Sequence, residues 1–311
     1  MPPADRNRPK RAKSSDSTYS VMDFVREFPD DAACLDWLWR RLYSDDGSHA
    51  VCPKENRTRK FHRVASRPSF SCDSCGRHIN PTANTIFHKS STSLQLWFHA
   101  IYLMSSTRCG VSAKELERQI GVTYKTAWRM FHRIRDMLMF DDDEGGPLTG
   151  IVEADEMYVG GKRRGRTGRP SASEKTAVFG MVERGGRVHA VTVPNVTAGT
   201  LLSHVEKRVL PLTMVYTDEY PSYGRLADRG YSHRRIRHKA GVYVQGDVHT
   251  NTIEGFWALV KGGIGGVHHS VSAKHLQGYL DSYSFRYNHR DDLSPLFLTL
   301  LDRIALNPSC V

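Results

Sequence analysis

Three apolar runs of strand character follow one another between residues 150 and 195, "GIVEADEMYVGG", "KTAVFGMVER" and "RVHAVTVPNV", before a helical pattern appears at "GTLLSHVEKRVL". A fourth strand, "TMVYTDE", comes next, and a long helical stretch closes the region. Nothing else in the chain restricts its fold as much. Strands first, then helix, strand and helix point to a layered α/β or α+β architecture.

The upstream sequence has other textures. Residues 1–18 are rich in Pro, Arg, Lys and Ser, with almost nothing apolar, which predicts a disordered basic tail. "SVMDFVREFPDDAACLDWLWRRLY" reads as helix, with Phe24, Trp37, Leu38 and Leu42 on apolar faces. "VCPKENRTRKFHRVASRPSFSCDSCGRHINPTANTIF" gives short β-like pieces broken by turn residues and cysteines, a ribbon-like module within 19–90. Residues 91–141 are helical with breaks at Gly110 and Gly121, and "DDDEGGPLTG" links them to the strand-rich region, 148–291. Residues 292–311 are read as a C-terminal helix and tail.

Charge selects a class of partner. The 44 Lys and Arg residues exceed the 33 Asp and Glu, a net charge of +11 that favours a polyanion, most simply nucleic acid. No run of 18 apolar residues occurs, and the amino terminus carries charges and prolines where a secretory signal needs an apolar segment. A cytoplasmic protein without membrane attachment is expected. The six cysteines, at 34, 52, 72, 75, 109 and 310, are sparse and uneven, which argues against a disulfide framework and for a metal site.

Cys72-Asp-Ser-Cys75 is half of a zinc-knuckle pattern. The expected upstream half is Cys52-Pro-Lys-Glu55, so Cys52, Cys72 and Cys75 supply three ligands for Zn²⁺. The fourth is Glu55, His62, or absent. "VSAKELERQIGVTYKTAWRMFHRIR" has the form of a helix-turn-helix. Its second helix carries Lys125, Thr126, Arg129 and Arg133 for phosphate and base-edge contacts, and sets Ala127, Trp128, Phe131 and Ile134 towards the first helix.

Carboxylates carry the remaining chemistry. Period-2 alternation in "IVEADEMYV" puts Glu153 and Asp155 on one face and Glu156 on the other. Asp218 ends the strand "TMVYTDEY", where a buried strand emerges from a sheet. Glu254 heads a helix in "HTNTIEGFWALVKGG", with Lys261 two turns later on the same face, and Asn251 with Glu254 has the form of a capping box. Hard oxygen ligands from two strands and a helix suit Mg²⁺ in phosphoryl transfer, where paired ions about 3.5–4 Å apart can activate both attacking and leaving oxygens. Beyond the Gly160-Gly161 turn, Lys162, Arg163, Arg164 and Arg166 would hold a phosphate backbone beside Asp155.

The ordered succession "FPDDAACLDWLW", "CPKENRTRKFHRV", "SCDSCGRHINPTANTIFHKSSTSLQLWFHAIYLM", "STRCGVSAKELERQIGVTYKTAWRMF", "VEADEMYVGGK", "VYTDEYPSY" and "HTNTIEGFWALVKGGIGGVHHSV" resembles the DDE transposases of bacterial insertion sequences, in the ISXO-type group with an N-terminal zinc ribbon. The resemblance implies an α/β, RNase H-like catalytic domain preceded by the zinc-ribbon-like module and the helix-turn-helix. It implies an acidic triad of Asp155, Asp218 and Glu254 holding two Mg²⁺ or Mn²⁺ ions, with Lys261 near the scissile phosphate. His249 and Asn251 are close enough to assist, as is Glu153 on the strand face of Asp155. The implied chemistry is hydrolysis at the terminal inverted repeats of an element, exposing 3′-hydroxyls that attack target DNA. A homo-oligomer on double-stranded DNA, at the bacterial nucleoid, goes with it. The sequence departs from the group at Glu55, where a cysteine is usual, and that departure bears on zinc binding. Two rivals are a DNA-binding regulator whose carboxylates are structural, and an RNase H-like nuclease or resolvase that cuts without joining.

Overall fold

The computed structural model describes residues 19–107, 109–140, 145–160, 175–236, 249–292 and 294–306. The chain divides into two compact units, 1–137 together with 290–311, and 138–289. The expected basic tail, 1–18, lies outside the described residues.

In the first unit a capping box starts α1 (Val21–Glu27): Ser20 Oγ accepts from the Asp23 N–H, and Asp23 Oδ2 accepts from the Ser20 N–H. Asp30 caps α2 (Asp31–Leu42) one way only, its side chain accepting from the Ala33 N–H. An antiparallel ribbon follows in chain order, β1 (His49–Cys52), β2 (Arg57–Val64), β3 (Ser69–Cys72) and β4 (His78–Ile79). Such a small sheet needs outside support. Trp39 of α2 supplies it, stacking on Phe70 with ring centroids 4.2 Å apart.

Next come α3 (Leu94–Ser106), α4 (Ala113–Ile120) and α5 (Tyr124–Asp136). Ser112 and Thr123 cap α4 and α5 through side-chain oxygens, and Gly121 ends α4 at φ 69°, a left-handed conformation in which a β-carbon is costly. Ala127, Phe131 and Ile134 are buried as expected, together with Met130, but Trp128 is 37% exposed. The reason is the helical period: 127, 131 and 134 form the inward seam, while 128 falls in the neighbouring row with Tyr124 and His132, whose rings it meets.

In the second unit the three strand runs form β5 (Ile151–Val159), β6 (Thr176–Glu183) and β7 (Val188–Val193), an antiparallel meander. Helix α6 (Ala198–Arg208) then crosses over, so that β8 (Met214–Thr217) lies parallel to β5, and β9 (Ser232–Arg235) parallel to β8. The sheet order β7-β6-β5-β8-β9, antiparallel on one side of β5 and parallel on the other, is the RNase H-like arrangement.

One face of this sheet packs Val152, Ala154, Phe179, Met181 and Val215 against Leu201, Leu202 and Val205 of α6. Each such side chain, fully buried, contributes about 1.5–3 kcal/mol. Helices α7 (Asn251–Gly263) and α8 (Ala273–Asn288) lie against the other strands and face. The open edge of β7 is satisfied by amides of α8: Gln277 Oε1 accepts from the Thr192 N–H at 2.8 Å, and Asn288 Oδ1 from the Val188 N–H at 2.8 Å.

The last helix, α9 (Leu296–Leu306), expected within 292–311, belongs to the first unit. Phe297 sits among Phe24, Phe28 and Tyr102, and Asp302 pairs with Arg41 at 2.7 Å. Among the described residues no helix is long and apolar enough to cross a membrane.

Candidate active site

The three acids come from elements that share the centre of the sheet. The β5–β8 register pairs Ile151 with Met214, Val152 with Val215 and Glu153 with Tyr216. Carried two residues further, it sets Asp218, just past the end of β8, beside Asp155. Glu254 stands in the first turn of α7, which packs on β5. Side-chain contacts orient each acid. Asp155 Oδ2 accepts from the Trp257 indole N–H at 3.0 Å, Asp218 Oδ1 from the Tyr220 N–H at 2.9 Å, and Glu254 Oε1 from the Thr250 hydroxyl at 2.9 Å.

Electrostatics tie the group together. Burial, then the neighbouring Asp218 charge and more weakly Glu254, push the Asp155 carboxyl up to about 6, against the pull of the Trp257 hydrogen bond. Glu156, on the opposite strand face, receives the Tyr223 hydroxyl at 2.5 Å. Its carboxyl is raised to about 7, by burial first, with Asp218 and Asp155 adding to it. Mutually repelling carboxylates with oxygen donors on converging elements are the chemistry of a divalent-cation site. Among the described residues, however, only three thiols bring three metal-ligating atoms within 4.8 Å of one another. The acids approach one another more loosely.

Glu153 is differently employed. It is fully buried, and its oxygens accept from Arg184 Nε at 2.6 Å, the Thr252 N–H at 2.8 Å, the Thr252 hydroxyl at 2.9 Å and the Ile253 N–H at 3.1 Å. Thus β5 caps α7 from across the sheet. The expected capping box is corrected accordingly: Thr250 is the N-cap, without a side-chain capping hydrogen bond, and Asn251 is the first helical residue. Arg184 also donates to the His249 carbonyl at 2.8 Å and approaches His249 Nδ1 at 2.9 Å. A guanidinium only donates, so Nδ1 accepts, and the 3.3 Å approach of Nδ1 to Glu153 is a neighbour contact rather than an ion pair. Lys261 is exposed, as is Glu254.

Arg184, Trp257, Tyr223 and Gly180 were not among the residues expected at the site. Gly180 pairs with Asp155 across β5 and β6, and a β-carbon there would lie 2.5 Å from the Trp257 ring. A lone glycine inside a strand pattern was the available signal of such a close approach.

In the ribbon, turns closed by Asn56 N–H to Cys52 O and Gly76 N–H to Cys72 O bring Cys52, Cys72 and Cys75 together, with Cys52 Sγ 3.5 Å from Cys75 Sγ. Burial opposes ionisation of Cys52, but backbone N–H groups of Glu55 and Lys54 and the neighbouring thiols bring its pKa below the usual thiol value. Three sulfurs at this spacing fit Zn²⁺. Glu55 accepts from Ser74 Oγ at 2.9 Å and Arg59 Nε at 2.6 Å, which hold its carboxyl below the usual range. His62, the other candidate fourth ligand, is exposed on β2 and lies outside the cluster, because the pleat turns it away from Phe61, the residue that pairs with Cys72.

On α5, Lys125 is exposed and Thr126 is half-buried beside the N-cap. Arg133 instead donates to the Ile86 carbonyl at 3.0 Å, and Arg129 reaches Ser90 and Thr92 and lies over the Trp97 ring. These two arginines are one turn apart on the helix, so both face the 86–97 segment. Lys162, Arg163, Arg164 and Arg166 lie outside the described residues.

Residues 147–288 match the model of the ISXO2-like transposase domain. The chain is 31% identical over 241 residues to an uncharacterized protein in transposable element ISH50 of Halobacterium salinarum, covering 72% of this chain and 79% of that one. It is 31% identical to an uncharacterized transposase-like protein of Haemophilus influenzae, over 34% of this chain and 84% of the other. Among solved structures it is similar to the Mos1 strand transfer complex, at 13% identity and a TM-score of 0.29 over 67% of this chain and 74% of that one. It is also similar to the catalytic core domain of BIV integrase, at 11% identity and a TM-score of 0.24 over 50% of this chain and 81% of that one.

Proposed function

The chain belongs to the DDE transposases of insertion sequences, a family of DNA-processing enzymes that use divalent metal ions, and from that premise we propose that it binds its element's terminal inverted repeats, cleaves their 3′ ends and joins them to target DNA. The observation that supports this reading is the placement of Asp155, Asp218 and Glu254 at the centre of the sheet, the first two by the β5–β8 register and the third by the packing of α7 on β5.

Asp155 would hold the cation from the middle of β5, Asp218 from just past the end of the adjacent β8, and Glu254 from α7. A bound pair of Mg²⁺ or Mn²⁺ ions supplies Lewis acidity and charge neutralisation at the scissile phosphate. The protein's own part is to present hard oxygen donors in fixed directions and to keep other carboxylates occupied, as Arg184 keeps Glu153 and Tyr223 keeps Glu156. Lys261, on the same side of α7 as Glu254, would bind a DNA phosphate, with His249 and Asn251 at the mouth of the site. Lys162, Arg163, Arg164 and Arg166 would extend that phosphate contact. Lys125 and Thr126 would reach the terminal repeat through the helix-turn-helix, and Arg129 and Arg133 with the guanidinium N–H groups that their protein contacts do not use. The cysteine cluster would hold Zn²⁺, and the active form would be a homo-oligomer on paired ends.

The test is a strand-transfer assay with labelled element ends in Mg²⁺. Nicking followed by joining of a precleaved 3′-hydroxyl end is expected, and Asp155→Asn, Asp218→Asn or Glu254→Gln should each abolish both while retaining DNA binding. Cutting without joining would make the protein a nuclease, and no cutting a regulator.

A further inference from the structure

Glu254 and Asp155 reside on different elements, and two anchors between those elements lie outside the triad. The first is Glu153, whose carboxylate receives the Thr252 and Ile253 N–H groups and so grips the start of α7. Arg184 neutralises that buried charge and is itself held by the His249 carbonyl and by the Tyr216 ring, 4.8 Å from its guanidinium carbon. The second anchor is Trp257, which sits over the bare backbone of Gly180 and donates its indole N–H to Asp155. Glu254 stands between these anchors along α7. Glu153 and Asp155 are alternate residues on one face of β5.

We propose that Glu153 and Trp257 are positioning residues that set Glu254 and Asp155 at the spacing and orientation needed to share one divalent ion, with Gly180 providing the room for Trp257. The inference rests on the triad assigned above. Like charges on Asp155 and Glu254 drive their supports apart, so without the anchors the ion would have to order both carboxylates as it binds. The cost falls on metal affinity. Groups that hold metal ligands in this way contribute about 10–100-fold in affinity.

A role confined to stability would lower the melting temperature and the active fraction but leave the metal dependence of the folded protein unchanged. Mn²⁺ binding to the full-length protein, followed by electron paramagnetic resonance, and the Mn²⁺ dependence of terminal-repeat nicking separate the two roles. Trp257→Phe, which keeps an aromatic ring but removes the N–H, and Gly180→Ala, which displaces the indole, should each raise the Mn²⁺ dissociation constant about tenfold. Their nicking rates should fall further at limiting than at saturating Mn²⁺. Glu153→Gln should shift the metal dependence in the same direction, and if it does not fold, Trp257→Phe decides. Weaker Mn²⁺ binding in Asp155→Asn with wild-type binding in Trp257→Phe and Gly180→Ala would overturn the inference and leave the triad intact. Unchanged Mn²⁺ binding in Asp155→Asn would remove the triad assignment, and the inference with it.

Discussion

The ribbon and the sheet each gather side chains suited to a cation, and they do so in opposite ways. Cys52, Cys72 and Cys75 lie within a short stretch of chain, and tight turns already bring their sulfurs within 4.8 Å of one another. The carboxylates come from β5, the end of β8 and the start of α7, and each has an oxygen engaged by a protein donor. Neutral thiols can pack together before a metal arrives, whereas charged carboxylates repel until one does. A soft structural site can therefore be built locally, while a hard catalytic site needs the whole tertiary structure to oppose its own repulsion.

The widest separation between the two sites should come from the triad. Loss of Asp218 or Glu254 as Asn or Gln should lower nicking on the order of a thousandfold, about 4 kcal/mol in barrier, with zinc content unchanged by elemental analysis. Cys72→Ser should do the reverse at the metal level, emptying the ribbon of Zn²⁺ and weakening terminal-repeat binding in a gel-shift assay. Zinc well below one equivalent in the unaltered protein would mean that Glu55 marks a lost site.

Stability against pH gives a smaller signal that belongs to the acids alone. Asp155 and Glu156 are raised to about 6 and about 7, so the folded chain holds their protons more tightly than the unfolded chain does. Metal-free stability should therefore fall as pH rises from about 4 to about 7, by on the order of 3 kcal/mol for each acid taken alone. Mn²⁺ should restore it near pH 7.5 in denaturant melts; stability that rises with pH across this window would break the account. The smallest effect is expected at Glu55→Cys. Completing a tetrathiolate should tighten Zn²⁺ about tenfold by competition with a chelating dye, because the carboxylate now there is already shared between Ser74 and Arg59.

Much of this was legible in the primary structure because it is local. Strand alternation separates Glu153 and Asp155 from Glu156 in the folded sheet, where they meet α7 and Tyr223 respectively. The helix, short turn and helix around Gly121 also form where expected. What failed depended on neighbours distant in sequence. Asn251 looked like a cap only because Glu153, far upstream, could not be seen to do the capping. The hydrogen bond from Arg133 to the Ile86 carbonyl was likewise out of view. That the C-terminal helix joins the first unit was not legible because nothing local links Phe297 to Phe24.

By itself, then, the amino-acid sequence determined which residues can ligate, cap and alternate, since those properties depend on residue type and short periods. The tertiary structure decided which carboxylate is consumed as a helix anchor and which is not. Glu153 and Asp155 both carry a carboxyl group and share a strand face, and beyond one methylene of length they differ in what packs against them. Glu153 meets a helix N-terminus and an arginine, which satisfy its charge, while Asp155 meets an indole N–H and lies buried near other acids, which push its carboxyl up.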